Sequence, residues 1–303
     1  MQPVLVVGSV ALDSIETPFG SVSRVVGGAA TYFAIAAAHF TNVRVVAVVG
    51  DDFDDERMKI FQNRRIDLAG LQRVSGETFR WKGRYKDNLD DRETIYTHLN
   101  VFEAFRPAIP PTYCASPFVF LGNIHPTLQL EVLGQVESPQ FSVADTMNYW
   151  IEGTPDELRL VLSRVDGLVI NDAEARQLSG ESNLVKAARI IQAMGPKLLI
   201  IKRGEHGVLM TRPNGFFAVP GLPLESVCDP TGAGDTFGGG FLGYLAGCSD
   251  VNDEALARAV IAGSTMASFS VEAFGLERLL SVTRDEIMQR FSEFKRLTHF
   301  EEL

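Results

Sequence analysis

A chain of 303 residues with 46% hydrophobic and 22% charged residues can bury a large core and has ordinary globular composition. Its formal net charge of −10 argues against a nucleic-acid groove or an anionic membrane surface as the main partner, so an anionic ligand must be held by local donors. Cys114, Cys228 and Cys248 lack disulfide-framework or zinc-ligand spacing, the N-terminus lacks a basic region with a long apolar run, and no stretch nears the ~18 apolar residues of a membrane span; together these features predict a cytoplasmic protein.

Val4 to Gly8 is an unbroken apolar run ending at glycine, the pattern of a buried strand in a parallel sheet. Asp13 follows just past its end, where open α/β sheets bind ligands and where an ordinary turn aspartate is also at home. Gly27 and Gly28 open a helix expected to reach about His39. Val43 to Val49 is a second strand run, followed by a helix expected through about Arg65, whose acidic start (Asp51, Asp52, Asp54, Asp55, Glu56) is read as complementing the helix dipole rather than holding a metal. Residues 72–106 break the βα rhythm. Phe79 to Tyr85 and Thr94 to Leu99 alternate on either side of a polar turn from Asp87 to Asp91, which predicts an antiparallel hairpin serving as a cover, with Arg84, Arg92 and His98 as candidates for touching a ligand.

From Phe118 onward strands and helices alternate again without a linker. Asp145 and Asn148 stand after one strand, and Asn171 and Glu174 after the next, in the first turn of a helix. Lys202 follows the strand that ends at Ile201, with Gly204 and Gly207 behind it. Two short strands near 207–211 and 215–219 and helices near 252–271 and 283–297 complete the pattern, with Glu301 and Glu302 as a solvated tail. The expectation is a doubly wound, mostly parallel α/β sheet flanked by helices with a small β-sheet lid, a single domain over 1–303 with lid strands inserted at about 10–25 and 72–106.

The most informative stretch is Cys228 to Leu245, CDPTGAGDTFGGGFLGYL. Gly232, Ala233 and Gly234 leave the backbone bare so that successive N–H groups can point one way, and Phe237, Phe241, Leu242 and Leu245 recur at helical spacing behind them. A helix N-terminus with free amides favours an oxyanion. Glycine-rich turns also serve close packing alone, and an aspartate such as Asp235 also serves as a plain cap.

Residues 229–237, Asp-Pro-Thr-Gly-Ala-Gly-Asp-Thr-Phe, resemble the C-terminal signature of the ribokinase-like (PfkB-type) carbohydrate kinases. The resemblance implies that Asp235 is the catalytic base and that the amides of Gly232, Ala233 and Gly234 form the anion hole. Gly8 to Asp13 is similar to the family's opening motif, which makes Asp13 a partner of sugar hydroxyls. Gly27 and Gly28 match the N-terminal glycine pair where substrate approaches the backbone, and Asp145 falls where the family has polar substrate contacts. Asn171-x-x-Glu174 resembles the motif that organises Mg²⁺ and nucleotide phosphates, largely through water. Lys202-x-Gly204-x-x-Gly207 is similar to the nucleotide loop, with Lys202 in place of its threonine. Ala11, Ala29 and Tyr32 depart from ribokinase proper, which argues against ribose.

Taken together the resemblance implies ATP-dependent phosphorylation of a hydroxyl on a small sugar or sugar-like substrate, with Mg²⁺, a monovalent cation beside the anion-hole loop, and a lid that also forms a homodimer contact. No Walker loop is present. A nucleoside acceptor is the alternative, and a purine one requires an apolar slot around Tyr32, Phe33 and Trp81. A non-catalytic sugar or nucleotide sensor is a second alternative, against which the base at Asp235 speaks.

Overall fold

The computed structural model describes residues 1–86, 89, 92–299 and 301, so the expected polar turn at Asp87 to Asp91 lies outside the described residues except for Leu89, and of the acidic tail only Glu301 lies within them. In chain order these residues form β1 (Val4–Val7), β2 (Ala11–Thr17), β3 (Gly20–Gly27), α1 (Ala29–Ala37), β4 (Val43–Val49), α2 (Asp55–Met58), β5 (Ile66–Arg73), β6 (Phe79–Tyr85) and β7 (Arg92–His98). There follow α3 (Pro111–Cys114), β8 (Phe118–Leu121), α4 (Pro126–Gln135), β9 (Phe141–Asp145), α5 (Asn148–Gly153), α6 (Pro155–Leu162), β10 (Gly167–Asn171), α7 (Asp172–Ser179), α8 (Leu184–Gln192) and β11 (Leu198–Lys202). The chain continues through β12 (Val208–Arg212), β13 (Gly215–Val219), α9 (Ala233–Leu245), α10 (Asp253–Ser270), α11 (Glu277–Ser281) and α12 (Arg284–Thr298).

Within the described residues the large sheet has the order β13-β12-β11-β10-β9-β8-β1-β4-β5, parallel from β5 to β11 and antiparallel at β12 and β13. The apolar runs are continuous because both faces are covered. Val4 and Val6 face one apolar layer with α1, α9 and α10, while Leu5 and Val7 face the other with α4, α6 and α8. The chain leaves β1 toward β4 on one side and returns as β8 on the other, so strand order reverses at β1, where such sheets open a crevice.

The small sheet has the order β3-β2-β6-β7, with β2 and β6 parallel and the other pairs antiparallel. It is the expected lid, built from both inserted segments. Its root is pinned by the acidic run: Asp52 accepts from the Thr78 N–H at 2.7 Å and pairs with Arg80 at 3.0 Å, and Asp51 accepts from the Gly76 N–H at 3.0 Å. Only Asp54, Asp55 and Glu56 serve a helix start, and that helix is short. The expected continuation to Arg65 is not formed: Asn63 takes a left-handed φ of 57°, and the chain turns into β5.

Of the three consecutive glycines in α9, Gly238 packs on the Phe120 ring of β8, and the other two are explained by helix packing. A Cβ on Gly239 would collide with the Phe33 carbonyl of α1, and one on Gly240 would press on Ala262 and Met266 of α10. The two neighbouring helices therefore sit almost backbone to backbone against α9.

Candidate active site

At the crevice beside β1, the glycine pair is dictated by the carboxylate of Asp13. A Cβ on Gly27 would overlap that carboxylate, and one on Gly28, at φ 92°, would collide with the Ser9 carbonyl. With both side chains absent, the Gly28 N–H donates to Asp13 Oδ2 at 3.3 Å and the Ala29 N–H to Ser9 Oγ at 3.1 Å. Asp13 lies within β2 rather than in a turn and is 4% exposed. Burial, with a further push from Asp235 and Asp229, raises its carboxyl to about 7 despite the Gly28 hydrogen bond. It is a buried carboxyl waiting for a hydrogen-bonding partner.

Among the described residues, two of the three amides expected to form an anion cradle lack a protein acceptor. Gly232 caps α9 at φ 74°, and the ring of Tyr32 lies where its Cβ would be. The Ala233 N–H is turned back onto the Pro230 carbonyl at 3.2 Å, which leaves the amides of Gly232 and Gly234 without a protein acceptor among the described residues. Lys202, at the end of β11, brings its ammonium against Gly234 and stands 4.0 Å from Asp145 at the end of β9. Burial works against its charge, but Asp145, Glu174 and Asp235 outweigh burial and hold the ammonium above its usual value.

Asp235 occupies the first turn of α9. Burial and the neighbouring Asp145 raise its carboxyl to about 7, opposed by Lys202 and Arg92. Glu174 is likewise raised to about 7, chiefly by burial. Asp145, expected to bind substrate, stands 4.0 Å from Lys202 and adds to the rise at Asp235, and its companion Asn148 is exposed at the start of α5. Asn171 and Glu174 form a reciprocal capping box at α7, each accepting the other's N–H at 2.8 Å. Gly204 and Gly207, at φ 54° and 80°, shape the tight turn between β11 and β12, where the Arg203 N–H donates to the Gly207 carbonyl at 2.8 Å. Among the described residues no group of three or more His, Cys, Asp or Glu side chains is placed to hold a metal by itself.

The lid has two unlike faces. Trp81 is paired with Asp13 in register, and Trp81, Gly83, Tyr85 and Arg92 share that inner face; a Cβ on Gly83 would strike the Trp81 ring. On the outer face Glu16 pairs with Lys82 and Arg84, and His98 stacks on Tyr96. Of the three hairpin candidates only Arg92 therefore faces inward. The apolar slot expected around Tyr32, Phe33 and Trp81 does not form as a unit: Tyr32 is 1% exposed beneath Gly232, and Phe33 is fully buried against Phe120. Trp81 alone of the three lies on the lid.

Sequence reasoning missed the tie between lid and cradle. Thr231, one residue before the anion hole, donates to the hydroxyl of Tyr85 at 3.1 Å. Behind it Asp229 accepts the Thr231 and Gly275 N–H groups at 2.9 and 3.0 Å. The alternation of the hairpin carried a hint, since Tyr85 shares the phase of Trp81.

A doubly wound sheet whose crevice collects a carboxylate base candidate, free helix-start amides and a buried lysine defines a phosphotransferase. The chain belongs to the pfkB family of carbohydrate kinases, whose model matches residues 1–282. It is 32% identical over 254 residues to a cytidine kinase of Thermococcus kodakarensis, covering 82% of this chain and 90% of that one. It is also 32% identical to an aminoimidazole riboside kinase of Salmonella typhimurium, with 91% of each chain covered. The fold is shared with the nucleoside kinase of Methanocaldococcus jannaschii, at a TM-score of 0.78 and 21% identity, covering 97% and 99% of the two chains. The protein is a sugar or nucleoside kinase of this family.

Proposed function

We propose that the protein transfers the γ-phosphoryl group of ATP to a sugar hydroxyl of a nucleoside, with Asp235 as general base. The observation that carries this reading is Asp235 itself, a carboxyl raised to about 7 in the first turn of a helix whose Gly232 and Gly234 amides are free. The acceptor oxygen forms a bond to the γ-phosphorus, its proton passes to Asp235, and the bond to the bridging oxygen breaks with its electron pair leaving on ADP. The cradle at Gly232 to Gly234 and the Lys202 ammonium hold the charge on the moving group.

Gly204 and Gly207 keep the β11–β12 turn free of side chains, which suits a nucleotide lying along it. The buried, partly protonated Glu174 and the Asn171 amide fit a hydrated Mg²⁺, which few protein ligands hold directly and which supplies neutralisation of the leaving phosphate when bound. The wholly buried Asp229, its carboxyl raised by burial, is the group beside the loop whose charge a monovalent cation would balance.

Asp13, with Gly27 and Gly28, is placed to bind the acceptor's hydroxyls. A nucleoside is favoured over a free sugar because Trp81 offers an aromatic face beside Asp13 and because of the likeness to a cytidine kinase. We further propose a homodimer through the lid. An ATP-consumption screen over nucleosides, pentoses, hexoses and inositols tests the acceptor. A nucleoside should exceed ribose in kcat/KM by ~10-fold or more, as expected when a stacked ring adds binding energy. A free sugar outperforming every nucleoside would remove the acceptor assignment and leave the kinase standing.

A further inference from the structure

The groups fixed on the large sheet leave the phosphoryl end short of positive charge. Lys202 stands alone against Asp145, Glu174 and Asp235, and phosphate oxygens bring more negative charge to the same place. Helix-start amides offset part of this. The lid supplies what is missing.

Arg92 opens β7 directly across from Tyr85, the last residue of β6, so the two side chains leave the sheet on the same inner face. The Arg92 guanidinium lies over the Trp81 ring, 5.3 Å from its centroid, and helps to lower the Tyr85 hydroxyl that burial pushes up. Tyr85, 8% exposed, in turn accepts from Thr231 beside the anion hole. The chain of contacts from Arg92 through Tyr85 to Thr231 therefore runs from the lid to the residue that precedes the cradle.

We propose that Arg92 is a catalytic residue delivered by the lid, donating to oxygens of the transferring phosphoryl group, and that Tyr85 is the positioning residue that aims it through Thr231. Arg92 makes and breaks no covalent bond and moves no proton. A planar fork of donors suits two phosphoryl oxygens at once, and a guanidinium remains charged at every working pH. Lid closure and charge delivery then become one event, because the bond that seats the lid on the cradle also aims the arginine.

This assignment rests on the phosphotransfer reading, and the experiment separates the two. Arg92→Ala should lower kcat by about 10²- to 10³-fold with little change in the acceptor KM, as removal of a transition-state donor does, and added guanidinium ion should restore part of the turnover. Arg92→Lys, which keeps the charge and the fold but loses the fork, should remain ~10-fold or more below wild type. In nucleotide-free protein, carboxyl NMR of Asp235 should titrate higher in Arg92→Gln than the wild-type value of about 7. Tyr85→Phe should lower kcat in wild type but add nothing to Arg92→Ala, because a positioning residue has no effect once its target is gone.

Wild-type kcat in Arg92→Ala, alongside an inactive Asp235→Asn, overturns the assignment and leaves the base in place; so does a loss confined to the acceptor KM. Additive losses in the double variant overturn the role of Tyr85. An active Asp235→Asn removes the phosphotransfer reading itself.

Discussion

Asp13, Glu174 and Asp235 each keep a proton to about pH 7 because burial penalises their charge more than nearby donors and cations favour it. For Asp235 this sets an activity profile. A base must be ionised, so kcat/KM should climb through about pH 7 and level off above it, and Asp235→Asn should lower turnover by ~10² or more on that plateau while leaving nucleotide affinity intact. A flat profile from pH 6 to 8, measured at subsaturating acceptor, would count against the base. For Asp13 the same shift sets stability. Its folded carboxyl binds a proton up to about 7, whereas the unfolded one releases it near 3.8, so between those values the folded state holds more protons and stability falls as pH rises. Asp13→Asn should therefore raise the thermal midpoint of the ligand-free protein by a few degrees at pH 7.5, lose that advantage below pH 4, and weaken acceptor binding. A destabilised Asp13→Asn at pH 7.5 would show that the carboxyl is not strained. At this scale the sequence was legible wherever a role is local. The helix starts behind Gly28, at Gly232 and at Asn171 follow from their own few residues. That Asp145 meets Lys202 was not legible, because strand order in the sheet, not spacing in the chain, brings them within 4.0 Å.

At the scale of elements, the alternation of aromatic and charged residues specified β6 and β7 and their pairing, and β2 and β3 lie where lid strands were expected at about 10–25, but the parallel pairing of β2 with β6 was not legible. β5 escaped notice because its pattern, IDLAGLQR, lies at a half-exposed edge and mixes phases. α8 was overlooked between α7 and β11, although Asn183 caps it by accepting from Val185 and Lys186. Two predictions belong here. Replacing residues 80–98 by a short Gly-Ser turn should leave the α/β core folded, raise the acceptor KM and abolish the proposed dimer, since β3 and β7 are the open edges of the small sheet. A monomeric intact protein by light scattering would defeat the dimer, and unchanged acceptor affinity in the deletion would defeat the lid. Gly239→Ala, one helical turn beyond Asp235, should cost about 1 to 3 kcal/mol of stability, because its methyl would meet the Phe33 carbonyl. Denaturant unfolding measures it, and a midpoint equal to wild type would mean that α1 and α9 can part without penalty.

Across the whole molecule, the doubly wound order was readable because continuous apolar strands alternate with helices, and the antiparallel end at β12 and β13 because only a short turn separates them. The proposed catalytic centre draws on β2, β9, α7, β11 and α9, and the loop before α9 is itself fastened to the segment beyond α10: Cys228 N–H donates to the Val271 carbonyl at 2.7 Å, and Asp229 accepts from Gly275. That fastening has a kinetic meaning. The loop lacks these distant partners until the chain as far as Gly275 has arrived, so a molecule still being synthesised, or truncated before that point, should carry the signature residues without a seated cradle. Because such distant closures come late in folding, refolding from urea should regain far-UV dichroism in an early phase and acceptor binding only in the slowest one. Simultaneous recovery of both signals would mean that the pocket assembles with the first helices instead of after the last.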